Sequence, residues 1–157
     1  MKRSNYYRLK EGINRCSKFK GGKFQYALAK NMKKLEVEIE LIEAAFKPSE
    51  DFLEFDKQKV ALLTEYGKKD EHGQLLVHQA NGEVIFESSE QKDKFQKAFE
   101  KLKTKFKKTI DETDKQNREK IAFLNEESDT IEWYMIKKED IPEDATGDLM
   151  LIEDFLL

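Results

Sequence analysis

The chain has 157 residues, of which 38% are hydrophobic and 39% are charged. Eleven Phe, five Tyr and one Trp argue against a disordered chain, because disordered chains are poor in aromatic residues. No apolar run reaches the ~20 residues needed to cross a bilayer, and the single cysteine can form no internal disulfide. We therefore expect one cytoplasmic domain over residues 1–157, without membrane association.

The net charge of −3 conceals four blocks of alternating sign. Residues 1–34 carry a net charge of +10, residues 35–91 carry −9, residues 92–125 carry +5 and residues 126–157 carry −9. Such blocks either pair with one another inside the fold or face separate partners. We favour internal pairing as the simpler interpretation.

The first part of the chain, residues 5–66, is predicted to be helical with two breaks. Gly21-Gly22 indicates a break near residues 18–22. A coiled-coil-like apolar seam then runs from Leu28 to Phe46 at spacings of four and three residues. Pro48 disfavours a continuous helix, and the apolar residues after it fall out of register with the seam. A second break, or a kink, is therefore predicted near residues 47–49.

The rest of the chain mixes strand and helix signals. Residues 74–86 are predicted to form a β-hairpin, because Asn81-Gly82 lies between two apolar runs. Residues 89–125 are predicted to form one long helix that begins at a capping box, Ser88 with Gln91. Residues 130–157 are predicted to form a strand and a short C-terminal helix capped by Thr146.

The predicted fold class is mostly α with a minor β element (α+β). The expected architecture is an elongated antiparallel helical bundle with a kinked long helix. The β-hairpin would lie at one end and could gain the strand around Trp133 as a third strand.

No catalytic residue, metal ligand or cofactor site is predicted. His72 and His78 match no zinc-binding spacing, and Gly21-Gly22-Lys23 lacks the spaced glycines and Lys-Ser/Thr pair of a P-loop. Cys16 lies among apolar helix positions with no sign of activation. The chain is therefore predicted not to be an enzyme.

Two basic stretches contain aromatic residues or lie on one helix, which suits phosphate contact and base stacking. They define a candidate contact for nucleic acid or an acidic partner: Arg3, Arg8, Arg15, Lys18, Lys20, Lys23, Lys101, Lys105 and Lys108. Against this interpretation, the acidic blocks are equally large and could occupy the basic surface.

The C-terminal block combines acidic and apolar residues. Its candidate partner-binding residues are Glu132, Trp133, Tyr134, Asp140, Glu143 and Asp144. The alternative is that this segment docks on the helices as part of the core, which we favour because so apolar a terminus would otherwise leave an exposed patch.

Two segments resemble an uncharacterised family of small proteins encoded by tailed phages and prophages. They are residues 21–74, which begin GGKFQYALAK, and residues 132–150, EWYMIKKEDIPEDATGDLM, with its Lys-x-x-Asp-Ile-Pro pattern. The resemblance implies a phage origin and a small accessory protein, and it carries no catalytic residues.

The leading hypothesis is a non-enzymatic phage accessory protein that acts by protein–protein contact in the host cytoplasm. It would bind a host or phage protein and could inhibit a host or anti-phage defence protein. The alternative is a nucleic-acid-binding protein that uses the basic regions. A further alternative is a prefoldin-like chaperone or structural oligomer, suggested only by the helix–hairpin–helix order. The sequence leaves the oligomeric state open.

Overall fold

In a computed structural model, which describes residues 1–128, 131–145 and 147–157, the chain is mostly helical. The α-helices are α1 (Asn5–Cys16), α2 (Gly22–Ala45), α3 (Glu50–Tyr66), α4 (Ser89–Lys105) and α5 (Lys107–Asn125). Two 3₁₀ helices follow, Lys138–Asp140 and Asp148–Phe155, and we call the second the C-terminal segment. No helix in the described ranges is long and apolar enough to cross a membrane.

The chain divides into two compact units. Unit 1 comprises Met1–Lys47 and Asn117–Leu157, and unit 2 comprises Pro48–Gln116. The first division falls at Pro48, between the end of α2 at Ala45 and the start of α3 at Glu50. Ser49 caps α3 because its Oγ accepts a hydrogen bond from the Phe52 N–H at 3.2 Å. The second division falls within α5.

The predicted α+β class is wrong, because the described residues contain no β-strand and pair only through isolated bridges. Over residues 74–86, the backbone makes a ring of single hydrogen bonds instead of a ladder. The Lys68 N–H donates to the Ile85 oxygen at 2.7 Å, Ile85 to Leu76 at 2.9 Å, and Leu76 to Lys68 at 2.8 Å. An antiparallel ladder needs paired residues that exchange both hydrogen bonds. Each residue here instead donates to one neighbour and accepts from a different one.

The turn chemistry at Asn81-Gly82 also differs from that of a tight hairpin. A type I′ turn needs positive φ at both central residues, and here Gly82 adopts φ +70° while Asn81 does not adopt a positive φ. The Asn81 side chain instead accepts a hydrogen bond from the Glu83 N–H at 3.1 Å. The turn is therefore wider than the predicted hairpin turn.

The predicted strand near Trp133 is also absent from residues 131–136. Its backbone groups bond to side chains and to the C-terminal segment, where Ile136 and Leu156 form one isolated bridge, so no strand ladder develops. The Ile136 N–H donates to the Phe155 oxygen at 2.7 Å, and Asn31 takes both polar groups of Tyr134. The predicted cap at Thr146 and the start of that strand at Thr130 lie outside the described residues. The C-terminal segment is 3₁₀ and bends at Ile152 (φ −121°, ψ 20°).

The region predicted as one helix over residues 89–125 contains two helices that meet at Phe106. Its start matches a capped terminus, since the Ser88 Oγ accepts a hydrogen bond from the Gln91 N–H at 3.2 Å. Phe106 has φ −103° and ψ 18°, far from the values of a regular helix. The Phe106 ring packs against Phe55 of α3, with ring centroids 5.7 Å apart.

The core of unit 1 lies between α1, α2 and the C-terminal segment. Its buried side chains recur at helical spacing on each element: Tyr6, Leu9, Ile13 and Cys16 on α1, Phe24, Leu28, Leu35, Ile39 and Ile42 on α2, and Ile152 and Phe155 on the C-terminal segment. Gly12 lies where α1 crosses the C-terminal segment, and a Cβ atom there would be 2.7 Å from the Leu151 Cβ. A glycine is therefore required at this crossing.

Unit 2 is built on α3 and α4, which run antiparallel. Gln58 contacts Lys105, while Phe55 packs between Phe99 and Phe106 near the start of α3. Phe95 extends this row of rings and contacts Phe86 from the connection between the helices, with centroids 5.2 Å apart. One side of the α3–α4 pair is thus packed against residues of the connection.

Cys16 is expected to be unreactive in the folded protein. It is completely buried, and burial, followed by the negative charge of Asp148, raises the pKa of its thiol. Because the thiolate is the nucleophile, thiol–disulfide exchange with an added reagent in native buffer should be at least about a hundredfold slower than in denaturing urea. A time course with a chromogenic disulfide reagent would measure this, and equal rates in the two conditions would contradict the burial of Cys16.

The same pKa shift predicts a dependence of stability on pH. The folded pKa lies above the unfolded pKa, so the associated stability is fully present below the unfolded pKa. It is lost as the pH rises from there through the folded pKa. The free energy of unfolding should therefore fall above about pH 8.5, the ordinary thiol value, and Cys16→Ala should reduce that fall.

Candidate protein-binding surface

The N-terminal cations that were predicted to contact nucleic acid mostly bind carboxylates of the C-terminal block. Among the described residues, five ion pairs join the two blocks inside unit 1: Arg3–Glu126 (3.1 Å), Arg8–Asp154 (2.6 Å), Arg8–Glu153 (3.8 Å), Lys18–Asp148 (2.7 Å) and Lys23–Asp140 (3.2 Å). Arg3 also lies over the Phe123 ring, 4.0 Å from its centroid. The first and last charge blocks therefore pair with each other, in agreement with the interpretation that the blocks pair inside the fold.

The other predicted cations are distributed over both units. In unit 1, Arg15 pairs with Glu11 one turn away on α1, and Lys20 is exposed. In unit 2, Lys105 contacts Gln58 at 3.4 Å, Lys108 pairs with Glu112 at 3.7 Å, and Lys101 is exposed.

The predicted acidic and apolar residues divide into a packed group and an exposed group. Trp133 is packed against Phe155 and Tyr6, with ring centroids 4.9 Å and 6.2 Å away, and Asp140 is held by Lys23. These residues support the docking interpretation of the C-terminal block. Glu132, Tyr134, Glu143 and Asp144 are exposed, so their side chains are accessible to a partner.

Asn31 of α2 fixes the backbone beside Tyr134. Its Oδ1 accepts a hydrogen bond from the Tyr134 N–H at 2.8 Å, and its Nδ2 donates to the Tyr134 oxygen at 2.9 Å. Asn31 is completely buried in the row of apolar residues on α2. One turn further along α2, the Lys34 ammonium donates to the Glu132 oxygen. These side chains hold residues 131–134 along one side of α2.

This arrangement creates an exposed apolar surface, which we call the α2 strip: Tyr26, Val37, Leu41, Ile131 and Tyr134. Tyr26, Val37 and Leu41 are 53%, 52% and 60% exposed, and Tyr134 is 46% exposed. The rings of Tyr26 and Tyr134 meet edge to face, with centroids 5.7 Å apart. At Val37 and the half-buried Ile131, the strip borders a hollow of about 470 Å³ lined by Lys33, Lys34, Val37, Glu38, Ile131 and Glu132.

The sequence analysis identified Tyr134 and Glu132 but missed the α2 residues of the strip. A signal for them was present, because Val37 and Leu41 are spaced i, i+4 and lie outside the buried row of Leu35, Ile39 and Ile42. An α2 with a single buried face needs no second apolar row. Asn31 was also missed, although it lies between Leu28 and Leu35 in the seam.

The α2 strip offers binding chemistry. Its groups are aromatic and aliphatic, and ammonium and carboxylate groups line the hollow beside it, which together suit contact with another polypeptide. Within the described part of the chain, no group of three or more His, Cys, Asp and Glu side chains is arranged to hold a metal ion.

No family model, curated protein or solved structure matches this chain.

Proposed function

We propose that this protein acts by binding another protein through the α2 strip. The observation that carries the proposal is the row of large apolar side chains that α2 exposes beside Tyr134, each about half exposed or more. Single exposed apolar residues are ordinary, but a contiguous apolar patch beside charged groups is typical of an interaction surface. Aromatic residues are also enriched in the parts of interfaces that contribute most to affinity.

The charges around the strip indicate what the partner presents. Lys33 is exposed beside Val37, and Lys30 lies 5.4 Å from the centroid of the Tyr26 ring. A matching segment would place apolar side chains on Val37 and Leu41 and a carboxylate near Lys33. Because Glu38 and Glu132 line the same hollow as Lys33, the proposed partner is a protein with an apolar segment flanked by charges of both signs.

The biological setting is proposed from the resemblance to phage-encoded proteins. In that setting the protein is a non-enzymatic phage accessory protein, and its partner is a host or phage protein, such as a defence protein that it inhibits. Genes for virion or lysis proteins beside the coding sequence would support this setting. A location among ordinary cellular genes would contradict it.

Of the alternatives, nucleic-acid binding loses part of its support, because four of the six candidate N-terminal cations bind carboxylates of the C-terminal block. The prefoldin-like alternative depended on a β-hairpin between helices, and residues 74–86 contain no strand.

The proposal is tested by affinity purification with paired variants. Val37→Glu with Leu41→Glu places two carboxylates in the strip, and should reduce recovery of a specific partner by about tenfold or more. The matched control is Leu53→Glu with Val60→Glu on α3, whose side chains are 52% and 51% exposed. Extracts of the cells that express the gene are used, and bound proteins are identified by mass spectrometry.

The expected pattern is a partner that the unmodified and control proteins retain and that the strip variant loses. The circular dichroism of both variants should match that of the unmodified protein, since all four sites are exposed. Equal recovery by the strip variant, or no specific partner for the unmodified protein, would overturn the proposal.

A further inference from the structure

A second open surface lies on unit 2, on the side of the α3–α4 pair opposite the connection between the helices. It is a groove of about 390 Å³ lined by Gln58, Ala61, Leu62, Ala98, Lys101, Leu102 and Lys105. The floor is apolar and formed by small or branched residues, with Leu102 buried and Leu62 and Ala98 half-buried. We call this surface the α3–α4 groove.

The two walls of the α3–α4 groove carry opposite charges. The α4 wall has lysines at spacings of four residues, which places them on one side of the helix: Lys97, Lys101 and Lys105. The α3 wall has Glu54, Gln58, Ala61 and Glu65 at spacings of four, three and four residues, and no basic residue among them. Gln58 links the walls, since it donates to Glu54 at 2.6 Å and accepts from Lys105 at 3.4 Å.

We propose that the α3–α4 groove is a self-association surface, and that its occupant is a second copy of this chain. A groove with one acidic wall and one basic wall is complementary to itself when a twofold axis runs parallel to the helices. That axis places α3 of each copy over α4 of the other, so each acidic wall meets a lysine wall. The result is a four-helix arrangement in which all neighbouring helices are antiparallel.

The positions of the charged residues along the helices agree with a twofold axis parallel to the helices. Within one copy Lys105 contacts Gln58 and Phe106 packs on Phe55, so the last turn of α4 lies beside residues 54–58 of α3, and a twofold axis parallel to the helices preserves these heights. One turn before Gln58, Glu54 then comes close to Lys105 of the second copy. Two turns after Gln58, Glu65 comes close to Lys97. A twofold axis perpendicular to the helices would instead stack lysine wall on lysine wall, which like charges disfavour.

The inference is independent of the α2 strip, which lies in unit 1. We expect multi-angle light scattering of the unmodified protein at about 100 μM to give twice the mass of one chain, which is 18.5 kDa. A dimer of micromolar Kd is populated at this concentration. The variant Lys97→Glu with Lys105→Glu places carboxylates opposite Glu65 and Glu54, and the variant Glu54→Lys with Glu65→Lys places ammonium groups opposite Lys105 and Lys97. Each variant alone should raise the dimer Kd by about a hundredfold or more, enough to dissociate much of a micromolar dimer at this concentration, because like charges then face each other.

An equimolar mixture of the two variants is the decisive sample. Each acidic α3 wall of the first variant then meets a lysine wall of the second, and each basic α3 wall meets an acidic α4 wall. The mixture should therefore recover the dimer mass, which a variant that merely fails to fold could not do. The control, Lys57→Glu with Lys103→Glu, changes two charges outside the groove and should stay dimeric.

Two results would overturn the inference. One is a single-chain mass for the unmodified protein at this concentration. The other is a dimer that both charge variants retain, which would place self-association on another surface. Neither result bears on partner capture by the α2 strip, so failure of this inference and failure of the proposed function are distinguishable.

Discussion

Asn31→Leu is expected to lower the free energy of unfolding by about 1–3 kcal/mol, since it removes two part-buried hydrogen bonds that each contribute about 0.5–1.5 kcal/mol. The substitution removes both hydrogen bonds to Tyr134 and leaves its N–H and C=O without the partner they have now. Leucine has nearly the same volume, so loss of hydrogen bonding, more than a cavity, causes the effect. Urea titration followed by the fluorescence of Trp133, the one tryptophan, would measure it.

The matched control is Asn14→Leu on α1, where the asparagine is exposed. A surface substitution of this kind changes stability by about 0.5 kcal/mol or less. A second measurement is partner recovery through the α2 strip. Asn31→Leu should reduce this recovery, because Asn31 holds Tyr134 beside Tyr26. If the stability of Asn31→Leu equals that of Asn14→Leu, the hydrogen bonds of Asn31 do not hold residues 131–134 in place.

Gly12→Ala is expected to destabilise unit 1 even though alanine favours a helix. The added Cβ would lie 2.7 Å from the Leu151 Cβ and 2.9 Å from the Leu151 oxygen, which forces α1 and the C-terminal segment apart. Such overpacking costs about 1–3 kcal/mol, and the gain in helix propensity offsets about 1 kcal/mol. Gly12→Leu cannot be accommodated by a small shift, and should cost more than Gly12→Ala in the same urea titration.

Gly22→Ala provides the control for Gly12→Ala. It adds the same methyl group near the start of α2, where a Cβ would meet no atom within 4 Å. This variant should be as stable as the unmodified protein or slightly more stable, because alanine reduces the freedom of the unfolded chain. A Gly12→Ala protein that is as stable as Gly22→Ala would show that the crossing is looser than the distances indicate.

The helical elements were predictable from local signals. Ser88 and Ser49 each accept a hydrogen bond from a first-turn N–H, which is the behaviour that short polar residues show at helix starts. Pro48 lies between α2 and α3 because its missing N–H and fixed φ disfavour a continuous helix. The interruption at Phe106 had no such signal, since its ring contacts α3 and no glycine or proline marks the site.

The β elements failed because their backbone partners are distant in sequence and of an unexpected kind. Apolar runs beside Asn81-Gly82 indicate an extended chain, but they do not reveal that Lys68 joins Leu76 and Ile85 in a three-way ring. The residues around Tyr134 are extended as well, and their partner is a side chain, Asn31. Hydrophobic periodicity and β-propensity describe the residues of a single strand. A β-sheet also requires a second backbone segment with which that strand can pair.

The candidate surface was partly predictable for a similar reason. The composition of the C-terminal block indicated Glu132 and Tyr134, but which residues of α2 remain exposed depends on what covers that helix. The charge blocks suggested internal pairing without specifying partners. The pair Arg8–Asp154 joins residues 146 positions apart, a choice that only the assembled fold determines.

The discontinuity of unit 1 sets the order in which the two units can form during synthesis. Unit 2 is one continuous stretch, so it can fold once residue 116 has left the ribosome. The buried face of α1 packs on Ile152 and Phe155, which are made more than 130 residues later. At about 5–20 residues per second, Ile152 and Phe155 are synthesised about 7–30 seconds after α1. The nascent chain therefore exposes a basic, apolar N-terminal helix to the cell, and chaperones that bind such segments have their opportunity during this interval.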